Sequence, residues 1–227
     1  MTSFTTSKYF DLHTHRIKGN DNVQILNIFA QDMPDYTAEN LFSTGIHPWH
    51  IEKVNQEFSF QAIEKACELK NMLAIGECGL DRSIATNFAL QEKYFKDHIR
   101  VADKFSKPLI IHGVRAYSDL LKLKKETKSG VPWILHGYQG NHQTTQDLIA
   151  HGFYFSVGEL FLKTISKHEV LKVIPLNHLF LETDDRQISI ENIYSVAANA
   201  LEIDKEELIA AIRDNFTRLF GANKETS

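Results

Sequence analysis

Tyr9-Phe10-Asp11-Leu12-His13-Thr14-His15 opens as an apolar, aromatic strand and ends in two histidines two positions apart. Strand side chains alternate faces, so Asp11, His13 and His15 share one face while Phe10 and Leu12 take the other. Strand pitch puts the two imidazoles roughly 6–7 Å apart, within reach of one metal ion. A lone His-x-His is more often chance than a site. This chain, however, repeats the device by ending further strands in His, Glu or Asp.

Working outward, the pattern predicts strands over 9–15, 23–29, 41–46, 72–76, 108–111, 133–135, 153–157 and 179–181. Helices are predicted over 59–70, 87–105 and 116–125, and through the tail. In the tail, Asp204 with Glu207 makes a capping-box pattern and Ile203 with Leu208 a hydrophobic staple. Strands alternating with helices predict an α/β fold, a parallel sheet closed into a TIM-type (β/α)8 barrel. The link over 30–40 is too short and too broken by Pro34 for a full helix, so the barrel is expected to be shortened between strands two and three. A single domain over 1–227 is expected. The rival architecture, an open doubly wound sheet, leaves the repeated polar strand ends unexplained.

Those ends are His13 and His15, His47, Glu77, His112, His136, and Glu182 with Asp184. In such a barrel the carboxyl ends of the strands form the active-site rim. Imidazoles mixed with carboxylates and no thiolate suit Zn, Mn or a similar divalent ion. So many donors exceed what one zinc takes, so two ions sharing a carboxylate is the economical arrangement. The loop His47-Pro48-Trp49-His50 reads either as a rim element that contacts phosphate or stacks a base, or as a Pro-capped loop with a half-buried Trp.

With 43% apolar residues, 24% charged residues and a net charge of −4, the chain lacks the basic surface expected of a tight nucleic-acid binder. A nuclease that holds its substrate through metal ions is compatible with that balance. Cys67 and Cys78 form neither a disulfide framework nor a metal pair. Residues 1–8 lack an apolar signal core and no run is long enough to span a bilayer, so the expected compartment is the cytoplasm, away from membranes. No obligate protein partner is evident.

Several motifs together resemble the TatD-related metal-dependent deoxyribonucleases, within the amidohydrolase-like barrel enzymes. They are Asp11-x-His13-x-His15, Gly45-Ile46-His47-Pro48, Gly76-Glu77-x-Gly79-Leu80-Asp81, Lys107-Pro108-Leu109-Ile110-Ile111-His112, His136 with Gly140, and Glu182-Thr183-Asp184. Asn215-Phe216-x-Arg218-Leu219-Phe220 resembles the family's terminal helix. The resemblance implies that His13, His15 and Asp184 bind a first metal, that Glu77 bridges, and that His112 and His136 hold a second. Asp11 is then a supporting carboxylate that orients an imidazole, and Asp184, with Glu77, becomes the catalytic carboxylate. Two divalent ions (Zn, Mg or Mn) would acidify a water for attack on a phosphodiester. DNA or a short oligonucleotide is the implied substrate, with a small phosphodiester as the alternative.

The sequence also departs from the family. Arg115 lies three residues after His112 where the family commonly has an Arg two after, and it remains a candidate substrate contact together with His47. Tyr138-Gln139-Gly140 and Asp185-Arg186 also differ from the usual rim. Two other functions fit the same barrel: hydrolysis of a small-molecule C–N or ester bond, and a metal-binding scaffold without nuclease activity.

Overall fold

The computed structural model describes residues 8–19, 22–35 and 40–221. Eight parallel strands lie side by side in sequence order: β1 (Phe10–Thr14), β2 (Val23–Phe29), β3 (Phe42–Gly45), β4 (Met72–Asp81), β5 (Leu109–Val114), β6 (Trp133–Leu135), β7 (Phe153–Val157) and β8 (Leu179–Leu181). The sheet curls until its first and last strands meet at the rim. Thr14 bridges Asp184, with Asp184 N–H donating to His13 O at 2.9 Å and His15 N–H to Asp184 O at 3.3 Å. The result is a nearly closed barrel of the expected class. The predicted strand ends therefore share one rim.

Helices follow most strands: α1 (Gln56–Cys67), α2 (Phe88–Phe105), α3 (Tyr117–Thr127), α4 (His142–Ile149), α5 (Glu159–Leu162) with α6 (His168–Val173), and after β8 the pair α7 (Ile190–Leu201) and α8 (Lys205–Phe220). Between β2 and β3 a single 3-10 helix, Ala30–Asp35, replaces the full helix. No described residue between β1 and β2 is helical either. Strands covered on both faces read as continuous apolar runs, as Leu109-Ile110-Ile111 does. Phe10, Phe180 and Phe216 lock β1, β8 and α8 together, with Phe216 at 5.0 Å and 5.3 Å from the other two rings. Asn215 Nδ2 donates to Leu176 O and Leu179 O, seating α8 beneath the start of β8.

Two element boundaries and one helix cap differ from the sequence reading for local reasons. α1 starts at Gln56 because Asn55 Oδ1 caps it, accepting from Phe58 N–H at 3.0 Å. β4 runs on to Asp81, five residues past its expected end, because glycines admit close contact with β5. Gly76 and Gly79 each have φ of +147°, and a Cβ would strike the carbonyl oxygen of Ile110 or His112. The capping box at α8 does not form: Asp204 occupies the cap but its side chain accepts no hydrogen bond there.

Candidate metal centre

Two bulges aim the central residues. Along β4, Ile75 pairs with Leu109 and Cys78 with Ile111, so three steps on β4 face two on β5. Along β1, Asp11 pairs with Gln24 and Thr14 with Leu26, the same mismatch across Leu12-His13. Such bulges re-aim side chains. Strict alternation therefore does not hold through Glu77. Its backbone N–H donates to Asn27 Oδ1 at 2.8 Å, fixing the segment from β2.

Glu77 is buried and lies at the middle of the cluster. Its Oε1 is 2.7 Å from His136 Nε2, 2.8 Å from His112 Nδ1 and 3.0 Å from His47 Nε2. Its other oxygen, Oε2, is 3.5 Å from His13 Nε2 and 3.8 Å from His15 Nε2. Asp184 Oδ1 approaches the same two imidazoles at 3.5 and 3.4 Å. One carboxylate thus faces two groups of nitrogen donors, one with each oxygen. Asp184 itself has φ of 52°, a left-handed geometry that Asp tolerates better than most residues.

The charges are strongly coupled. Burial would raise the pKa of Glu77, but the charge of His136 and the close imidazoles of His112, His13 and His136 hold it well below the carboxylate range. Burial and nearby His136 disfavour charged His13, yet the carboxylates of Asp184 and Glu77 push it up to about 9. His112 and His136 also shift upward, the carboxylates Asp81, Glu77 and Glu182 outweighing burial. Protons on these rings stand where cations would.

The residues fit a metal. His13 is fully buried, and neither ring nitrogen finds a hydrogen-bond partner of good geometry. Ligand atoms of His13, His15 and Asp184 lie within 4.8 Å of one another, as do those of His13, Glu77 and His136, and of His47, Glu77 and His112. His112 keeps Nδ1 toward Glu77 while Nε2 lies 3.1 Å from Asp81 Oδ2. A carboxylate behind an imidazole fixes the ring and its tautomer, the usual support for a ligating histidine.

His47 is drawn into the cluster, but in a different state. Its Nδ1 accepts the Trp49 N–H at 3.1 Å, so the neutral ring carries its hydrogen on Nε2, facing Glu77 Oε1. Burial lowers its pKa despite Glu77, which favours that neutral ring. In this arrangement His47 donates through Nε2 to Glu77. The loop that carries it is held by His98 of α2, whose Nε2 accepts Ile46 N–H at 2.9 Å while Nδ1–H donates to Tyr94 O at 2.7 Å. Burial brings His98 down to about 4, keeping it neutral in that role.

Asp11 orients the end of β8 and no imidazole: Oδ1 accepts Thr183 N–H at 2.9 Å and Oδ2 accepts the Thr183 hydroxyl at 2.6 Å. Burial lifts it to about 7 against those bonds. Arg115 is not brought to the cluster. It is exposed at φ 52° with no hydrogen bond or ion pair among the described residues. Arg186 instead lines a cavity of about 250 Å³ together with His112, His136, Glu182, Thr183 and Asp184. Sequence reasoning missed the roles of Asp81 and His98, and the tie of Trp49 to Asp81. Asp81 carried one signal, its place in the Gly76–Asp81 motif; His98 carried none that ties it to a metal.

Among relatives, an uncharacterized metal-dependent hydrolase of Buchnera aphidicola is 32% identical over 157 residues, covering 65% of this chain; the match spans 60% of that relative's length. A 3'-5' ssDNA/RNA exonuclease TatD of Citrobacter rodentium is 28% identical, covering 85% of this chain and 81% of its own. The fold is that of a TatD homologue from Escherichia coli (TM-score 0.77, 20% identity, 88% of this chain and 86% of that one). A TatD-family hydrolase of Entamoeba histolytica is similar, with TM-score 0.76, 16% identity, and coverage of 95% and 98%. The family model for TatD related DNase matches residues 12–221, so the chain belongs to the TatD-related family of metal-dependent hydrolases.

Proposed function

We propose that this chain is a TatD-type phosphodiesterase that cleaves DNA or a short oligonucleotide with two divalent ions, Zn, Mn or Mg, held at the barrel rim. The observation that carries the reading is Glu77, whose two oxygens face separate sets of imidazoles. His13, His15 and Asp184 would hold one ion, His112 and His136 the other, with Glu77 shared. The names of relatives, an ssDNA/RNA exonuclease and a deoxyribonuclease, support the substrate class. We further infer one hydrolase domain over 1–227, acting in the cytoplasm.

Bound divalent ions supply acidified water and neutralise phosphate charge. The remaining work belongs to side chains of this chain. Asp184, partly open to solvent and held ionised against burial by His13 and His15, accepts the water's proton on its carboxylate. His47 donates Nε2–H to Glu77 Oε1 and so helps to hold the shared carboxylate in place. Asp81 holds His112 and Asp11 holds Thr183, so the donors keep their geometry before substrate arrives.

The test is a panel of a chromogenic phosphodiester, single-stranded DNA and an amide, assayed with Mg, Mn or Zn and after chelation. Metal-dependent cleavage of the phosphodiesters is expected. Activity confined to the amide, or full activity after exhaustive chelation, overturns the proposal.

A further inference from the structure

Trp49 is 54% exposed, yet its ring is pinned. Nε1–H donates to Asp81 Oδ2 at 2.8 Å, the same oxygen that lies 3.1 Å from His112 Nε2. Asp81 is itself buried, its Oδ1 taken by the backbone N–H and hydroxyl of Ser83. The indole meets His47 edge to face at 5.0 Å and His112 at 6.1 Å. The polar edge of the ring is satisfied and turned inward, and much of the remainder meets solvent beside the metal centre. Ile17, on the loop after β1, and Leu160, in α5 after β7, are also exposed at that rim, and Leu160 lines the cavity with Asp184 and Arg186. A substrate that was only a phosphate would need none of this apolar surface. A planar group next to the phosphate would.

We propose that Trp49 is the stacking platform for an unpaired nucleobase flanking the scissile phosphate, with Asp81 as its positioning residue. The proposal rests on the phosphodiesterase reading and narrows it to unpaired strands or frayed ends. A base stacked within a duplex cannot offer its face to the ring. Every base has a π-face, so the platform favours unpaired over paired substrate without selecting a sequence. Because one carboxylate oxygen holds both Trp49 and His112, the base is placed relative to the donors that would hold the second ion.

The metal-loaded full chain should be compared with Trp49→Ala and Trp49→Phe on a single-stranded oligonucleotide and on the same strand carrying abasic sites. Trp49→Ala is expected to raise KM on the intact strand about tenfold or more, within the roughly 5- to 150-fold that base stacking supplies. Trp49→Phe should recover most of that loss, and the penalty should shrink to about twofold on the abasic strand. A second readout uses emission. The chain has two tryptophans and Trp133 is fully buried, so a phosphorothioate single strand should quench the wild type and leave Trp49→Phe unquenched. An unchanged KM, or an equal loss on intact and abasic strands, overturns the platform. Quenching without any phosphodiester cleavage would keep the platform and sink the hydrolase reading; neither signal sinks both.

Discussion

At the scale of the residue, Glu77 and His112 should not be equivalent. A shared carboxylate would support both ions and screen their mutual repulsion, whereas His112 faces only the Oε1 side. Glu77→Ala is therefore expected to lose metal at both positions and to abolish hydrolysis. His112→Ala should retain about one ion and lose rate through the missing half of the clamp, where charge stabilisation is worth several kcal/mol. Metal analysis of the two purified variants decides it. Two ions retained by Glu77→Ala, or none by a folded His112→Ala, would refute the bridging assignment.

At the scale of the element, two helix starts that look alike in sequence behave differently. Asn55 caps α1 with a real hydrogen bond to Phe58 N–H, next to the segment that carries His47 and Trp49. Asp204 at α8 makes none. Asn55→Ala is expected to cost about 1 kcal/mol of folding stability, in line with lost N-caps. Asp204→Ala should cost only a few tenths, chiefly its charge at the helix start. Paired denaturant titrations check this, and a larger loss at Asp204 would show that α8 is capped in solution after all. The helix has other anchors: Asn215 ties it to β8, and Phe216 fills the space between β1 and β8.

At the scale of the whole molecule, the centre lies where the barrel closes, so metal, proton and fold are linked. In chelated protein, the pKa of His13 is raised from an ordinary 6.5 to about 9. Its stabilising contribution is full below pH 6.5 and is lost as the pH rises through about 9. Asp11 adds to the trend: raised from 3.8 to about 7, it penalises the fold increasingly as the pH climbs between those values. Metal binding requires these imidazoles deprotonated, so it strengthens with pH and adds to folding free energy. The gap in melting temperature between loaded and chelated protein is expected to widen from pH 6 to about 8.5. Thermal unfolding across that range measures it. A gap that narrows with rising pH would contradict the linkage.

The alternation of strands and helices, and the polar residues that end the strands, are legible along the chain. Both are local: a buried parallel strand is an apolar run, and the residue just past it reaches the rim whatever its partners are. That is why His13, His15, Glu77, His112, His136 and Asp184 were legible, and why the shortened link after β2 was too. The folded barrel alone sets the bulges in β1 and β4, since a register needs both strands of a pair. It also decided the closure of Thr14 on Asp184, 170 positions apart along the chain, with the Asp11–Thr183 clasp beside it. It turned His47 into a donor through one backbone N–H and gave His112 and Trp49 a common anchor in Asp81. These are pairings between distant segments, and no periodicity along the chain encodes which carboxylate oxygen two remote side chains will share.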